Sequence, residues 1–500
     1  MKLGALLAQA KIPVPDGAAD RDVRAIAYDS RTVKDGSLFV AIPGFHRDGA
    51  AFVADAVKNG AVAVVAERKA RATTVPVAVV SDARTALADL AAEFFDHPTE
   101  KLKVVGVTGT DGKTTTVHLV SDVLEAMGER TGYATTVDFK LADQQWENET
   151  RQSTQEAVEL QEFCAELLVA GASWGVIEAT SHALALRKMR GIDVDVAVFT
   201  NITPEHLDFH DTFQLYLEAK GVLFKMLTQG RDKGVAKTAV LNADDPHWRY
   251  LADRAVGTRI ISYGIDALAD VQATIVAADA SGSKVKIAAF GDSVELRLPL
   301  VGRFNVHNAL AATGAGIAAG ATLVQCRDAL ARAKPVRGRM ERIEAGQPFT
   351  VIVDYAHTPE SLEKVLALLR PLTPGKLVVV FGSAGERDRA KRPRLAGVAS
   401  KYADRFFITQ EDPRLEEPAA ILLEIEAGAI EAGKRRDRDY QVIDDRTEAI
   451  NEAIGGAADG DTVLLAGKGH EGSIIVGESK LPWDEAGAAR SALRARGFAA

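Results

Sequence analysis

The chain has 500 residues, 47% of them hydrophobic and 26% charged, with a formal net charge of −9. That length supports about two to four cores, the acidic balance argues against nucleic acid or a membrane surface as main partner, and no stretch approaches the ~20 uninterrupted apolar residues of a membrane span. Two cysteines, Cys164 and Cys326, are too few for a disulfide framework or a zinc site, which fits a reducing cytoplasm.

The first eleven residues have a weak leader-like character, but Gln9 and Lys11 cut the apolar run short, and a small amphipathic helix is expected. From there to about residue 98 short strands and helices alternate. Strands are expected at Ile26–Tyr28, Ser37–Ile42, Ala61–Ala66 and Val75–Val80, with a helix around Phe52–Lys58. Asp29-Ser30-Arg31, the 36–44 segment and Asp48-Gly49 put polar groups at strand ends and turns, where ligands are met. Taken alone they are also ordinary turn residues.

The next stretch, Val104 to Thr116, organises the rest of the chain. A β-branched run ends in Gly109-Thr110-Asp111-Gly112-Lys113-Thr114-Thr115 and passes into a helical pattern from Val117 to Met127. A triphosphate needs inward-facing backbone N–H groups, a helix N-terminus, a lysine for the β- and γ-phosphates and a hydroxyl for Mg²⁺. Gly109, Gly112, Lys113 and Thr114 supply those parts, in a loop two residues shorter than the general phosphate-loop pattern. A plain glycine turn would leave Lys113 and three consecutive threonines unexplained.

Three polar clusters follow within residues 99–334. Val176-Ile177-Glu178-Ala179-Thr180-Ser181-His182 ends an apolar strand in a carboxylate, two hydroxyls and an imidazole, a poor core and a good metal or phosphate edge. After Val194–Phe199 comes Thr200 to His210, whose His206 and His210 can share one helical face as metal ligands or simply be structural. Lys220 lies beside the apolar stripe of an amphipathic helix, where a snorkelling lysine is the plain alternative. Asn305 and Asn308 then stand one helical turn apart, suited to a base edge or to capping.

From about residue 335 to 500 strands and helices alternate again, which argues for a mostly parallel, covered sheet. Its expected strand ends carry Asp354-Tyr355-Ala356-His357, Gly385-Glu386-Arg387-Asp388 with Lys391-Arg392-Pro393, Glu411-Asp412-Pro413-Arg414, and Gly467-Lys468-Gly469-His470-Glu471, the places where open α/β sheets bind ligands.

These blocks, in this order and across essentially the whole chain, closely resemble the Mur ligases of cell-wall precursor synthesis. Within them the resemblance is to the branch that adds the third, diamino acid residue to UDP-N-acetylmuramoyl-L-alanyl-D-glutamate. It is carried by G-T-D-G-K-T-T at 109–115, E-A-T-S-H-A-L at 178–184, H-L-D-F-H at 206–210, Y-L-E-A-K at 216–220, G-R-F-N-V-H-N at 302–308, G-R-M-E at 338–341, D-Y-A-H-T-P at 354–359, K-R-P at 391–393 and G-K-G-H-E at 467–471.

The resemblance implies three α/β domains: a UDP-sugar-binding domain (1–98), a central phosphate-loop ATPase domain (99–334) and a C-terminal Rossmann-like domain that closes on the amino acid (335–500). It implies ATP contacts at Gly109 through Thr115, Asn305, Asn308, Arg339 and Asp354. The UDP substrate would meet Tyr28, Ser30, Phe45, His46, Arg47, Ser153, Thr154, Thr180 and Lys188. Thr114, Glu178, His206 and Lys220 fall where the family handles Mg²⁺, Lys220 as an N6-carboxylysine, and Lys113, Glu178, His206 and Lys220 would be catalytic. The amino acid would meet Arg387, Glu411, Asp412, Pro413, Arg414, Gly467 and Glu471.

Three stretches depart from the family pattern, one of them Gly472-Ser473-Ile474 after Glu471, where many members carry an aromatic and a glutamine. Ser153-Thr154-Gln155 stands where the family has T-T-P or T-T-G, keeping both hydroxyls. Glu411-Asp412-Pro413-Arg414 stands where diaminopimelate-adding members read D-N-P-R and lysine-adding members lose the arginine. Arg387 and Arg414 can grip a carboxylate, which tilts the reading to meso-diaminopimelate; if Glu411 neutralises Arg414, the acids favour L-lysine or L-ornithine. The expectation is a cytoplasmic monomer acting on small molecules, with no nucleic-acid or membrane partner, in cell-wall biogenesis and hence cell shape and division. The rival readings are folylpolyglutamate synthetase, disfavoured by residues 1–98, the ligase adding D-alanyl-D-alanine, and a nucleotide-binding scaffold that has lost turnover.

Overall fold

The computed structural model describes residues 1–44, 48–68, 73–150, 152–279 and 281–499. They form three principal sheets and fall into two compact units: residues 1–275 with 285–296 and 304–332, and residues 276–284 and 297–303 with 333 onward.

The first sheet has four parallel strands in chain order, Ala25–Ala27, Ser37–Ala41, Ala61–Ala66 and Val77–Val79. They match the alternation read from the sequence. Leu38, Val40, Ala63 and Val65 face a core closed by the helices Leu3–Gln9 and Ala83–Phe94, and this core also takes in Ala157 and Val158.

The second sheet is built around Lys103–Thr108, which lies parallel between Trp174–Glu178 on one side and Val196–Phe199 on the other. All three are apolar runs buried on both faces, as central parallel strands must be. The helix after the central strand begins at Lys113, four residues earlier than the apolar pattern alone suggests, because Gly112 already turns the chain at φ +82°. The sheet also carries antiparallel strands at Asp138–Leu141 and Gln144–Glu147 and three strands between Val271 and Leu298, none of which the sequence reading anticipated. Within the strand Gly282–Ala289, residues 283–289 nonetheless alternate strictly, with Ser283, Val285, Ile287 and Ala289 buried.

In the second unit, Thr350–Asp354, Thr462–Ala466, Leu377–Phe381, Arg405–Ile408 and Tyr440–Val442 form a parallel sheet in that spatial order, with Glu341–Arg342 antiparallel at the edge. Helices on both faces seal two cores, one around Phe381, Phe406 and Leu464, the other around Val380, Phe407 and Leu465. Among the described residues no helix is long and apolar enough to cross a membrane. Cys164 and Cys326 are both buried free thiols.

Candidate active site

The first unit gathers its chemistry at the C-terminal ends of the three central strands. Gly109 cannot carry a side chain, since a Cβ there would lie 1.8 Å from Thr200 Oγ1. At Gly112 the φ of +82° and a would-be Cβ 2.3 Å from Asn308 Oδ1 impose the same restriction. The loop between them is strapped to the neighbouring strand end: the amides of Thr110 and Asp111 donate to Asn201 O (2.8 Å) and Asn201 Oδ1 (3.0 Å), and Thr200 Oγ1 donates to Asp111 O (2.7 Å). Lys113, at the first turn of the 14-residue helix Lys113–Ala126, donates to Thr110 O at 2.8 Å and lies 4.0 Å from Glu178 Oε1. A helix N-terminus and a lysine therefore meet at the end of this strapped loop, an arrangement suited to a polyphosphate.

Glu178 ends its strand almost fully buried and is gripped through both oxygens. Thr114 Oγ1 donates to Oε2 (2.9 Å), Thr136 N to the same oxygen (3.1 Å), and Thr136 Oγ1 to Oε1 (3.0 Å). Thr136 did not stand out in the sequence, where it sits in an unremarked Ala134-Thr135-Thr136-Val137-Asp138 run. A hydroxyl beside a fixed carboxylate at the end of a phosphate loop fits the donor chemistry of Mg²⁺ bound together with phosphate oxygens. Among the described residues no three His, Cys, Asp or Glu side chains cluster closely enough to hold a metal by themselves.

Lys220 reaches the other side of the loop. Its Nζ donates to Gly109 O at 2.7 Å and lies 4.4 Å over the Tyr216 ring, and the Tyr216 hydroxyl is 3.0 Å from Thr110 Oγ1. The residue is 1% exposed, so it does not snorkel. Burial, followed by the charge of Lys113, holds its amine well below the usual lysine range and favours the neutral form.

The two histidines do not share a helical face. His206 adopts φ +57° ahead of the four-residue helix Leu207–His210, and His210 Nε2 sits 3.0 Å from Ser181 Oγ. His182 lies among them, its ring centroid 4.7 Å from that of His206 and 5.4 Å from that of His210, and burial followed by those two neighbours pushes it down to about 4. Asn308 takes a hydrogen bond from Thr116 Oγ1 (3.3 Å) and donates to Asn305 Oδ1 (3.0 Å), so the asparagine pair braces the loop's helix.

Several of the expected UDP-substrate residues are committed to internal contacts. Thr154 Oγ1 donates to Glu178 O (2.7 Å) and meets Thr180 Oγ1 (3.2 Å), while Thr180 caps the helix Ser181–Ala185. Lys188 pairs with Glu156 (2.9 Å) and donates to Gln152 Oε1 (3.1 Å). The Tyr28 hydroxyl donates to Glu159 Oε1 at 2.8 Å, and buried Ser30 accepts from Asn59 Nδ2 through its carbonyl. Ser153 lies just ahead of Thr154, half-buried. Phe45, His46 and Arg47 lie outside the described residues.

In the second unit, Asp354 accepts from Met340 N (2.7 Å) and Ala356 N (2.8 Å), and the Arg339 guanidinium lies 4.6 Å over the Tyr355 ring. Asp412 proves not to be a loose pocket acid. Lys468, fully buried, donates to Asp412 Oδ1 (2.8 Å) and to Glu471 Oε2 (2.6 Å), and Ile475 N also donates to Asp412 Oδ1 (2.9 Å). The sequence reading counted Asp412 and Glu471 as charge and missed the lysine between them, although Lys468 stands inside the G-K-G-H-E block. Glu411 is buried with Oε2 unpaired among the described residues, and Gly467 leaves it room, since a Cβ there would lie 3.0 Å from that oxygen. Arg414 adopts φ +54°, and its buried Nε has no partner among the described residues; no ion pair joins it to Glu411. Pro413 is buried beside them, and Arg387 is exposed on the neighbouring loop.

Comparison with known proteins agrees with this geometry. The chain matches the Mur ligase family catalytic domain over residues 22–95, the Mur ligase middle domain over 107–316 and the Mur ligase glutamate ligase domain over 338–469. It is 49% identical to a UDP-N-acetylmuramyl-tripeptide synthetase from Roseiflexus sp. (strain RS-1), with 100% of both chains covered. It is 43% identical to a UDP-N-acetylmuramoyl-L-alanyl-D-glutamate–2,6-diaminopimelate ligase from Geobacillus thermodenitrificans (strain NG80-2), covering 95% of this chain and 96% of that one. A solved structure of a 2,6-diaminopimelate ligase of the same description superposes with a TM-score of 0.69 at 28% identity over 100% of both chains. Three domain matches in order, on a phosphate loop with Glu178 and Lys220 at its flanks, show that this chain belongs to the Mur ligase family of ATP-dependent ligases.

Proposed function

We propose that the chain joins a diamino acid, meso-diaminopimelate in preference to L-lysine or L-ornithine, to UDP-N-acetylmuramoyl-L-alanyl-D-glutamate at the expense of ATP. The observation that carries the ligase reading is the convergence on one loop of Lys113, the Thr114–Glu178 pair and buried Lys220. In the reaction the D-glutamate side-chain carboxylate attacks the γ-phosphorus and ADP leaves. The incoming amine then adds to the acyl phosphate carbonyl, and the tetrahedral intermediate expels phosphate and a proton. Lys113 and the loop amides stabilise the charge that develops on the transferring phosphoryl group. Asn305 and Asn308 brace that loop, and Arg339 and Asp354 serve the nucleotide.

Thr114, Glu178, His206 and a carboxylated Lys220 are the residues that would hold Mg²⁺, whose contribution is to neutralise phosphate charge. The buried Lys220 amine supports this, because a neutral amine adds to carbon dioxide and releases a proton, turning a neutral group into an anion. Tyr28, Ser30, Phe45, His46, Arg47, Ser153, Thr154, Thr180 and Lys188 are assigned to the UDP substrate.

The amino acid preference follows from charge. Asp412 and Glu471 share Lys468, which offsets one of their two charges, so they add less field than two free acids would. An unpaired Arg414 nitrogen asks for a carboxylate, and the unpaired Glu411 oxygen asks for an ammonium. The distal centre of meso-diaminopimelate carries both groups, whereas lysine would leave the arginine bare. The chain is assigned to the cytoplasm as a monomer in peptidoglycan precursor synthesis. A phosphate-release assay with and without the UDP-dipeptide tests this reading: release that needs both dipeptide and diamino acid supports it, and release indifferent to either contradicts it.

A further inference from the structure

Lys391-Arg392-Pro393 has no role in the chemistry above, yet Arg392 is one of the largest fully buried side chains in the protein. Its guanidinium donates through Nη1 to Glu416 Oε2 (2.9 Å) and Glu424 Oε2 (2.7 Å), and through Nη2 to Glu416 Oε1 (2.9 Å) and Ala384 O (3.2 Å). Glu416 does more than neutralise it, since its Oε1 also accepts from the amide of Glu386 at 2.5 Å. Glu386 immediately precedes Arg387, and Glu416 lies two residues beyond Arg414. The two loops touch directly as well: Gly385 N donates to Asp412 O (2.8 Å), and a Cβ at Gly385 would lie 2.0 Å from Pro413 O.

Both arginine-bearing loops are also strained at the positions that aim them. Glu386 and Arg414 each adopt φ +54°, in the left-handed region that non-glycine residues occupy only when their surroundings over-determine it. The surroundings here are Glu416, which fixes the Glu386 amide, and the main-chain bonds from Arg414 N to Ile475 O (3.0 Å) and from Gly477 N to Arg414 O (2.7 Å). Burying a guanidinium against two carboxylates is a poor way to gain stability, because desolvation offsets most of the attraction. Such a pair is better explained by what it holds in place. We propose that the Arg392–Glu416 pair is a positioning device that locks the 384–390 and 411–416 loops into one preorganised cradle, so that Arg387 and Arg414 meet the amino acid without having to be ordered first.

The proposal rests on the reading that Arg387 and Arg414 bind the amino acid. Arg392 and Glu416 act through them and touch no substrate. Preorganisation of this kind lowers the ordering cost of binding, so its loss appears in the KM for one substrate. The test is steady-state kinetics of the full-length enzyme carrying Glu416→Gln, with meso-diaminopimelate varied at saturating ATP and UDP-dipeptide. The KM for meso-diaminopimelate is expected to rise about tenfold, with the KM values for ATP and UDP-dipeptide within about twofold of the native ones. Hydrogen exchange of the 384–390 amides should quicken in the same variant. Arg392→Lys keeps the charge but loses the two-pronged grip, and provides the same readout if Glu416→Gln fails to fold. An unchanged KM for meso-diaminopimelate, or an equal rise for all three substrates, overturns the proposal. Arg414→Ala separates the two levels: if it leaves that KM unchanged, the amino acid assignment has failed, whereas a rise there with none in Glu416→Gln refutes the positioning role alone.

Discussion

Lys220 Nζ donates to the carbonyl oxygen of Gly109 at 2.7 Å, so a fully buried lysine fastens the first glycine of the phosphate loop. A bare ammonium at this depth, with Lys113 nearby, is unfavourable, and the neutral amine or its carboxylated form suits the place better. Lys220→Ala should therefore be nearly inactive, with partial recovery on adding small carboxylates such as formate or acetate. Full activity without such additions would count against a carboxylated lysine.

Lys113→Ala should abolish ATP-dependent ligation and leave the fold intact. The side chain is half-buried at a helix start with one main-chain hydrogen bond and a long 4.0 Å ion pair to Glu178, whose carboxylate keeps its hydrogen bonds from Thr114 and Thr136, so its structural contribution is small. Removing a preorganised charge from a transferring phosphoryl group typically costs ~10²-fold or more in rate. Circular dichroism alongside turnover separates the two effects, and native turnover by the variant would remove the phosphate-loop assignment.

Gly112→Ala tests the loop backbone. The φ of +82° costs an L-residue about 1–2 kcal/mol, and the new methyl would press on Asn308 Oδ1 at 2.3 Å. Nucleotide affinity measured by calorimetry should fall by about tenfold or more. Unchanged affinity would mean that the loop does not need this conformation to bind.

Arg414→Ala should lower kcat/KM for meso-diaminopimelate by ~10- to 100-fold, as expected for a charged hydrogen bond of ~1.5–3 kcal/mol. If the native enzyme prefers lysine or ornithine and the variant keeps that preference, the diaminopimelate assignment is wrong while the ligase assignment stands.

Glu416 gives a pH signature. The Arg392 guanidinium first, then the Glu386 amide, pull its carboxyl down to about 2 from 4.5, with Arg389 adding to the effect. A carboxyl whose pKa falls on folding stabilises above its unfolded value, and that contribution fades as pH drops from 4.5 toward 2. The gap in urea midpoint between native protein and Glu416→Gln should thus be widest near pH 6 and narrow below pH 4.5. A gap constant across that range would show that the carboxylate is not held by Arg392 in solution.

Much of this was legible in the sequence because glycine and strand chemistry are local. Gly109 and Gly112 announce a loop that only small residues can build, and the apolar runs before Glu178 and Thr200 end where the structure ends its strands. The hidden parts are pairings across long separations. Thr136 meets Glu178 42 positions away, Lys468 meets Asp412 across 56, and Arg392 meets Glu416 across 24. Each partner read alone is an ordinary polar residue. Asp412 was misread for this reason: as a one-letter departure it adds an acid to the amino acid pocket, but in the fold it is the counter-charge of a buried lysine.

The most direct measurement is the mass of the product formed from ATP, UDP-N-acetylmuramoyl-L-alanyl-D-glutamate and a panel of diamino acids. The account predicts a UDP-tripeptide carrying meso-diaminopimelate, formed with matching amounts of ADP and phosphate and in excess over any lysine or ornithine product. ATP consumption without any tripeptide, whichever diamino acid is supplied, would contradict it.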